Sequence, residues 1–581
     1  MGTISDKLMR IINTKEDIRQ ALISKGYDVP TSIPFKEYAK MISDLPCRVD
    51  SFPDIEGIVA RYSALGLTNE QMAENPVWKD LTDNGHDLQM KNLARKGMSG
   101  VGGYVGDFSK WVNNRDTTEI GITKSNSKVI IDVKVSQGSE KNIVFISKSN
   151  LGISNNVTIK ITSTYPEGVM KFANSASNKY LKLPSNGIIT LQDNPEYTSN
   201  EMHLHLASAD LGQITIEQLP LYPGALVFDG VDDYGVCENF PILTKEKGYT
   251  VVVLRQWDQD FLNTTLTGGL LSTRNYSTGE GVAFEKIESS NKGYWNLGAG
   301  GIIDFAKSPF TWQTSKQYNN VGILKGDKNH GKPLCVGCGL SGGQQCGRFA
   351  IWELVFLDHD ATEEELTKIK DYFVKTYPWL FPDQAWTVVG KTNEDEDRAT
   401  IANITGNGNN LVLSNFGFIE GSGYNEEGEH AGYLVTDGVD DRVQDSSFKL
   451  NKDWTLVGEW VFLNQKATNA GITKPFSFVV YNRTTGLSLF INTGTSGITI
   501  ENVKSIKAIC SDGRIYLDDW SEMLISKDQD ITSSISVLSI GFNGTAYTQM
   551  AFKNLGIYNN QILSKDDCIK AYNYLQTLKS K

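Results

Sequence analysis

Cysteine is scarce: the chain has 581 residues and seven cysteines, an odd number scattered from Cys47 to Cys568. That excludes a disulfide framework and predicts reduced, buried thiols. Proline is also sparse, at 16 residues. No stretch reaches the roughly 20 consecutive apolar residues that a membrane-crossing helix needs. Met1 to Ile23 is interrupted by Asp6, Lys7, Arg10, Lys15, Glu16, Asp17 and Arg19, so it has no apolar core of a secretory signal. The expectation is assembly in a cytoplasm, or export without a cleaved signal. Positive charge is in deficit, with 56 Lys and Arg against 68 Asp and Glu. A net charge of −12 argues against a general nucleic-acid binder, which needs a basic stripe to displace counterions.

Against these absences stand 54 glycines, 10% aromatic residues and 40% hydrophobic residues. Together they favour short strands joined by tight turns in an ordered, globular protein. The length is too great for one core and suggests about three to five domains. The first 46 residues read as helix. Ile4, Leu8, Ile11, Ile18 and Leu22 follow a heptad-like spacing that Lys15 breaks, with Ser5 as a cap and Gly26 as a stop. A second helix fits Pro34 to Leu45, with Phe35, Tyr38, Ile42 and Leu45 on one face. Two readings stay open: a helical pair with its own core, or an oligomerising or docking element. It is too short for a coiled coil that is stable alone.

After Pro46 the sequence repeats itself. Asp80-Leu-Thr-Asp-Asn-Gly-His-Asp-Leu88, leading to Asn92, recurs as Asn403-Ile-Thr-Gly-Asn-Gly-Asn-Asn-Leu411, leading to Asn415, at an offset of 323 residues. Leu226-Val-Phe-Asp-Gly-Val-Asp-Asp233 recurs as Leu434-Val-Thr-Asp-Gly-Val-Asp-Asp441, at an offset of 208. Thr362-Glu-Glu-Glu-Leu366 with Ile369, Tyr372 and Phe373 matches Ser564-Lys-Asp-Asp-Cys568 with Ala571, Tyr574 and Leu575, at an offset of 202. Three landmarks in one order define a duplicated module. The first two lie 115 residues further apart in the first copy, so that copy holds an insertion between Tyr104 and Leu226.

The insertion alternates with period two at Lys128 to Val135, Asn142 to Ser147, Val157 to Thr162 and Gln213 to Leu219, which predicts a small β-sandwich. Further strands are expected at Thr250 to Leu254, Phe349 to Phe356, Thr455 to Phe462, Phe476 to Tyr481, Leu487 to Ile491, Arg514 to Leu517 and Leu555 to Tyr558. Thr362 with Glu365, and Ser564 with Asp567, are capping-box patterns. Each opens a helix of about three turns whose apolar face should pack on its own sandwich. The resulting organisation is 1–46, a helical anchoring segment; 47–104 with 223–380, a split first module; 105–222, the inserted sandwich; and 381–581, the second module.

Candidate chemistry is thin. Asp229, Asp232 and Asp233, with Asp437, Asp440 and Asp441, offer carboxylates for calcium, but calcium takes six to eight oxygens and no second acidic cluster accompanies them. A tight turn whose side chains bond local amides is favoured. Cys335, Cys338 and Cys346, flanked by His330 and His359, resemble part of a zinc knuckle without a clear fourth ligand, and a buried strand suits them better. His203 and His205 share one strand face and read as a surface strand. Glu394-Asp-Glu-Asp397 is the one run with glycanase-like spacing, but it sits in a polar connection and reads as a solvated loop. No Gly-x-Ser-x-Gly elbow, phosphate loop or His-Glu-x-x-His helix is present, so no enzyme and no cofactor or metal is expected. Trp295, Trp312, Trp454, Trp460 and Trp520 could stack on sugars, though their strand-like settings suit a core.

The Asp-Gly-Val-Asp-Asp turn, followed by strands, an aromatic strand and a Thr- or Ser-capped helix, resembles laminin-G-like, concanavalin-A-like jelly-roll modules over about two thirds of the chain. The implied fold class is mainly β: a helical N-terminus and two jelly-roll β-sandwiches, the first interrupted. Ile4 to Leu8, Thr14 to Ile18, Ser24 to Gly26 and Pro34 to Tyr38 are similar to the N-terminal segment of bacteriophage fibre proteins. Asn84-Gly-His-Asp-Leu88 through Gly97-Met-Ser-Gly-Val-Gly-Gly-Tyr104 is similar to virion proteins of phages infecting gut Bacteroidales, the crAss-like group included. The resemblance implies a trimeric head or tail fibre on the virion exterior, joined to other virion proteins through 1–46 and displaying lectin-like modules to a host-surface polysaccharide. The second copy departs at Phe418-Ile-Glu-Gly-Ser-Gly-Tyr424, which lacks the Met-Ser-Gly core, so its ligand is expected to differ. A bacterial surface adhesin and a jelly-roll glycan hydrolase are the alternatives.

Overall fold

The computed structural model describes most of the chain from Phe52 to Ser580, with 274–282, 305–320, 464–477, 482–504 and 525–536 the longest spans left out. Before Phe52 it describes only Lys15 and Arg19, both helical, so the expected helices of 1–46 lie outside the described residues. So does the strand expected at Leu487 to Ile491. The chain divides into two compact units: residues up to Asp54 with Glu364–Thr376, and Ile55–Glu363 with Tyr377–Lys581.

The smaller unit contains one long described helix, Glu363–Thr376 but for its first residue. It buries Leu366, Ile369, Tyr372 and Phe373, the apolar stripe read from the sequence, and Phe52 meets the Tyr372 ring edge-on at 5.0 Å. The helix thus carries the expected apolar stripe within the smaller unit.

The larger unit is mainly β. Its sheets pair antiparallel almost throughout, as chains of short strands and hairpin turns require. In the first sandwich the ten-residue strand Arg348–Leu357 is the spine of a six-stranded sheet. Thr250–Trp257 runs along one side of it. On the other side Leu226–Asp229 pairs with its first half and Ile58–Ser63 with its second. The facing sheet runs through Val77–Trp78, Leu88–Lys91, Tyr234–Cys237, Leu334–Val336 and Gly268–Ser272. Tyr62, Val253, Phe228 and Ile351 from one sheet meet Trp78, Leu88, Leu271 and Val336 from the other in a single core.

The second sandwich repeats the central strands of this plan, with sheets of eight and five strands. Gln549–Asn559 is its spine, with Trp454–Phe462 on one side and both Tyr433–Asp437 and Gln384–Thr387 on the other. Thr400–Ile401, Leu411–Ser414, Arg442–Asp445, Val537–Ile540 and Phe478–Tyr481 form the facing sheet. The core again draws on both sheets, with Trp386, Leu456 and Phe552 against Leu411, Val443 and Ile540. Even the bulge recurs, after Leu254 in one module and after Gly458 in the other.

Strands between Val112 and Gln218 form two five-stranded sheets that share a core of their own. The alternation is literal: in Lys128–Val133 the residues Val129, Ile131 and Val133 are buried, and in Gly212–Gln218 so are Ile214 and Ile216. Period-two patterning fits a sheet with one face inward. The second closing helix, Lys565–Gln576, is capped as the sequence suggests: the Ser564 hydroxyl accepts from the Asp567 amide at 3.1 Å. It packs on the two long strands of its sandwich, with Cys568, Tyr572 and Leu575 buried.

Candidate binding cleft and the duplicated turns

The repeated motifs meet in three dimensions, and hydrogen bonds explain why they repeat. Asp233 is fully buried; its carboxylate accepts from the Asp229 amide at 3.0 Å and from the Ser99 hydroxyl at 2.9 Å. In the second copy Asp441 accepts from the Asp437 amide at 2.8 Å, and Ser422 holds the place of Ser99. Both serine oxygens also receive a backbone amide, from Ala94 at 2.7 Å and Gly417 at 2.8 Å. Asn92 and Asn415, at φ 62° and 68°, each reach from a left-handed turn to the carbonyl of Asp232 or Asp440, both at 3.0 Å. Asparagine tolerates that backbone region better than most residues.

The two loops are therefore one structure, which sharpens the departure read at Phe418 to Tyr424. The serine and glycine of Met-Ser-Gly persist as Ser422 and Gly423; only the methionine is replaced. Gly100 and Gly423 are required, since a Cβ would lie 2.5 Å from the Asn69 side-chain oxygen or 2.4 Å from that of Asn393. Those asparagines clasp the next residue at both backbone groups, Val101 in one copy and Tyr424 in the other.

In each turn the three aspartates bring one carboxylate oxygen apiece within 4.8 Å of one another. Part of this set binds amides of its own turn: Asp229 accepts from Val231 at 2.8 Å, and Asp437 from Val439 at 2.7 Å. These bonds fix the shape of each turn. Burial, chiefly, pushes the Asp233 carboxyl up to about 7 and that of Asp441 up to about 6.

Other candidates resolve as structural. Cys335, Cys338 and Cys346 are buried together beside Tyr234 and Val236. A hydrogen bond with Cys335 and then burial raise the Cys338 thiol, and burial raises Cys346 to about 11. His359 lies instead beside Asp358, at 3.3 Å, and His330 falls outside the described residues.

The surface-strand reading of His203 and His205 is wrong. Both are buried, because Glu201–Leu206 is a central strand between Met170–Asn174 and Lys141–Ser147. Phe145 meets His203 edge-on, His205 pairs with Asn142 at 2.8 Å, and burial lowers the His203 pKa. Glu394 to Asp397 is a loop of turns in which Asp395 binds Thr392 and Asp397 pairs with Lys391 at 2.6 Å. Trp454, Trp460 and Trp520 are fully buried, while the Trp295 and Trp312 side chains lie outside the described residues.

What sequence reasoning missed is a cleft of about 590 Å³ that the two copies build jointly. Gly97, Met98 and Tyr104 of the first copy's loop line it, with Arg348 and, from the second copy, Lys553 and Gln576. The copies are tied together nearby: Gln256 donates to the Thr577 hydroxyl at 2.7 Å, Asn573 to the Pro220 carbonyl at 3.3 Å, and Lys579 pairs with Asp260. Beneath the cleft, Lys507 is held by Glu459 at 2.6 Å and by Tyr572 at 2.9 Å, all three buried. Burial works against the Glu459 charge, yet Lys507 and Lys553 keep its carboxyl below the ordinary value. No motif flags Lys553 or Gln576; each is one polar residue in an otherwise ordinary strand or helix.

A scan of protein-family models finds no match, and a search of curated proteins finds none either. Among solved structures, the binding domain of botulinum neurotoxin serotype D aligns at 10% identity and a TM-score of 0.23, covering 58% of this chain and 88% of that one. A serotype D ligand-binding domain in complex with N-acetylneuraminic acid aligns at 10% and 0.23, over 68% and 96%. Trypanosoma rangeli sialidase aligns at 10% and 0.19, over 36% of this chain and 33% of its own, so the chain spans about a third of that enzyme. Scores this low carry no functional argument.

Proposed function

We propose that this chain is a non-enzymatic fibre protein of a phage virion, anchored through residues 1–46 and displaying its sandwiches for attachment to host-surface glycan. The supporting observation is the duplication itself: one two-sheet module occurs twice, alike in the order of its central strands and in the hydrogen bonds of its motif loops. A repeated module suits display, in which the scaffold is constant and the surface does the binding. The residues that resemble fibre and virion proteins supply the setting, and the trimer belongs to that resemblance.

The reading is tested on purified virions and on the purified full chain. Immunogold labelling should mark the particle exterior, and the chain should bind host cells and lose them when their surface polysaccharide is removed. Light scattering should give three times the chain mass. A monomer at micromolar concentration, or label absent from virions, would overturn the fibre reading; binding indifferent to polysaccharide removal would overturn the attachment reading.

A further inference from the structure

The two lysines beneath the cleft are not equivalent. Lys507 is neutralised by Glu459. Lys553 is 8% exposed, and among the described residues it has no carboxylate within ion-pair distance and no side-chain hydrogen bond. Its ammonium sits over the Tyr433 ring, 5.2 Å from the centroid, and the residue is one of those that line the cleft. The other charges on the cleft wall are matched, Arg348 with Asp258 at 3.5 Å and Lys579 with Asp260. The cleft and the pair beneath it therefore hold one positive charge in excess. Keeping such a charge from water is costly unless an anion meets it.

A second group in the cleft is equally unspent. The side-chain nitrogen and oxygen of Gln576 are both shielded from solvent, and neither has a hydrogen-bond partner among the described residues. An amide of this kind donates to one ligand group and accepts from another. Asp258 and Asp260 on the wall would repel a second anionic group inside the cleft but can accept from hydroxyls. A volume of about 590 Å³ is of the size that takes a small ligand.

We infer that this cleft binds a sugar carrying a single carboxylate, such as a uronic acid unit of an acidic polysaccharide, with the carboxylate on Lys553 and a polar substituent on Gln576. The inference rests on the glycan-attachment reading and names its ligand class and its site. Burial lowers the lysine's pKa, and a bound carboxylate would restore it.

The test is calorimetric titration of the full chain with a glucose oligosaccharide carrying one glucuronate unit, a neutral glucose oligosaccharide of equal length, and inorganic phosphate, at one ionic strength. The acidic oligosaccharide should bind at least tenfold more tightly than the neutral one, with phosphate failing to compete at equal concentration. Lys553→Met and, as a second variant on a separate element, Gln576→Leu should each weaken acidic binding, the former tenfold or more, with the unfolding transition retained. Equal binding of acidic and neutral sugars, tighter binding of phosphate, no binding of glucuronate, or acidic binding unchanged in either variant that folds would overturn the inference. Host-cell adhesion separates the two readings. Adhesion that survives in Lys553→Met leaves attachment standing and removes the cleft, whereas no adhesion by the unaltered chain removes attachment itself.

Discussion

Asp233 joins two stretches of the first module that are 134 residues apart, through Ser99, and its buried carboxyl is raised to about 7 from an ordinary 3.8. The folded protein thus holds this proton more tightly than the unfolded chain does. The resulting stability is fully present below about pH 4 and is lost as pH rises through about 7. Asp233→Asn keeps an acceptor and cannot ionise, so denaturant midpoints measured from pH 4 to 8 should lose that part of their fall with pH. Asp233→Ala strands the Ser99 hydroxyl and should cost about 1–3 kcal/mol at pH 5.

The Glu459 cluster gives a sharper contrast at the same scale. Lys507→Met leaves Glu459 facing Lys553, one charge against one. Glu459→Gln leaves two buried lysines with no counter-charge. Breaking a buried pair costs about 3–5 kcal/mol, and the glutamate variant should lie at or above that range with the lysine variant clearly below it. Urea unfolding of both variants decides the order; equal losses would mean that Lys553 does not share the glutamate.

Elements follow local rules where their ends are solvated. Ser564 caps the helix Lys565–Gln576, and Ser564→Ala should cost about 1 kcal/mol, read as a lower thermal midpoint without loss of the sheet signal. Gly423→Ala is a different kind of test. The new Cβ would meet the Asn393 oxygen at 2.4 Å, at a φ of 153° that side chains rarely adopt. It should therefore cost more than the lost cap, as should Gly100→Ala at its counterpart. The Met98 position, which differs between copies, should tolerate substitution.

At the scale of the molecule, the inserted strands carry two sheets and a core of their own. A fragment of residues 105–222 should therefore fold alone and unfold in one cooperative transition by circular dichroism and by tryptophan fluorescence, since Trp111 is in that core. Unfolding that is gradual, or different by the two probes, would show that the insertion depends on its host module.

The period-two runs, the Asp-Gly-Val-Asp-Asp turns and the Ser564 cap are local features, and local chemistry determined them: alternation selects a strand face, and short polar side chains bond the nearest amides. The duplication was legible for the same reason, because a repeated set of hydrogen bonds demands repeated residues. Other matters were decided only by the tertiary structure. His203 and His205 alternate as a surface pair would, yet sheet neighbours cover them, and coverage depends on which strands flank them. The first closing helix carries the expected apolar stripe, but periodicity does not say what the stripe meets. Lys553 and Tyr104 lie 449 positions apart and share a cleft, a proximity that no spacing encodes. A lysine's unmatched charge becomes visible only when every group around it is in place.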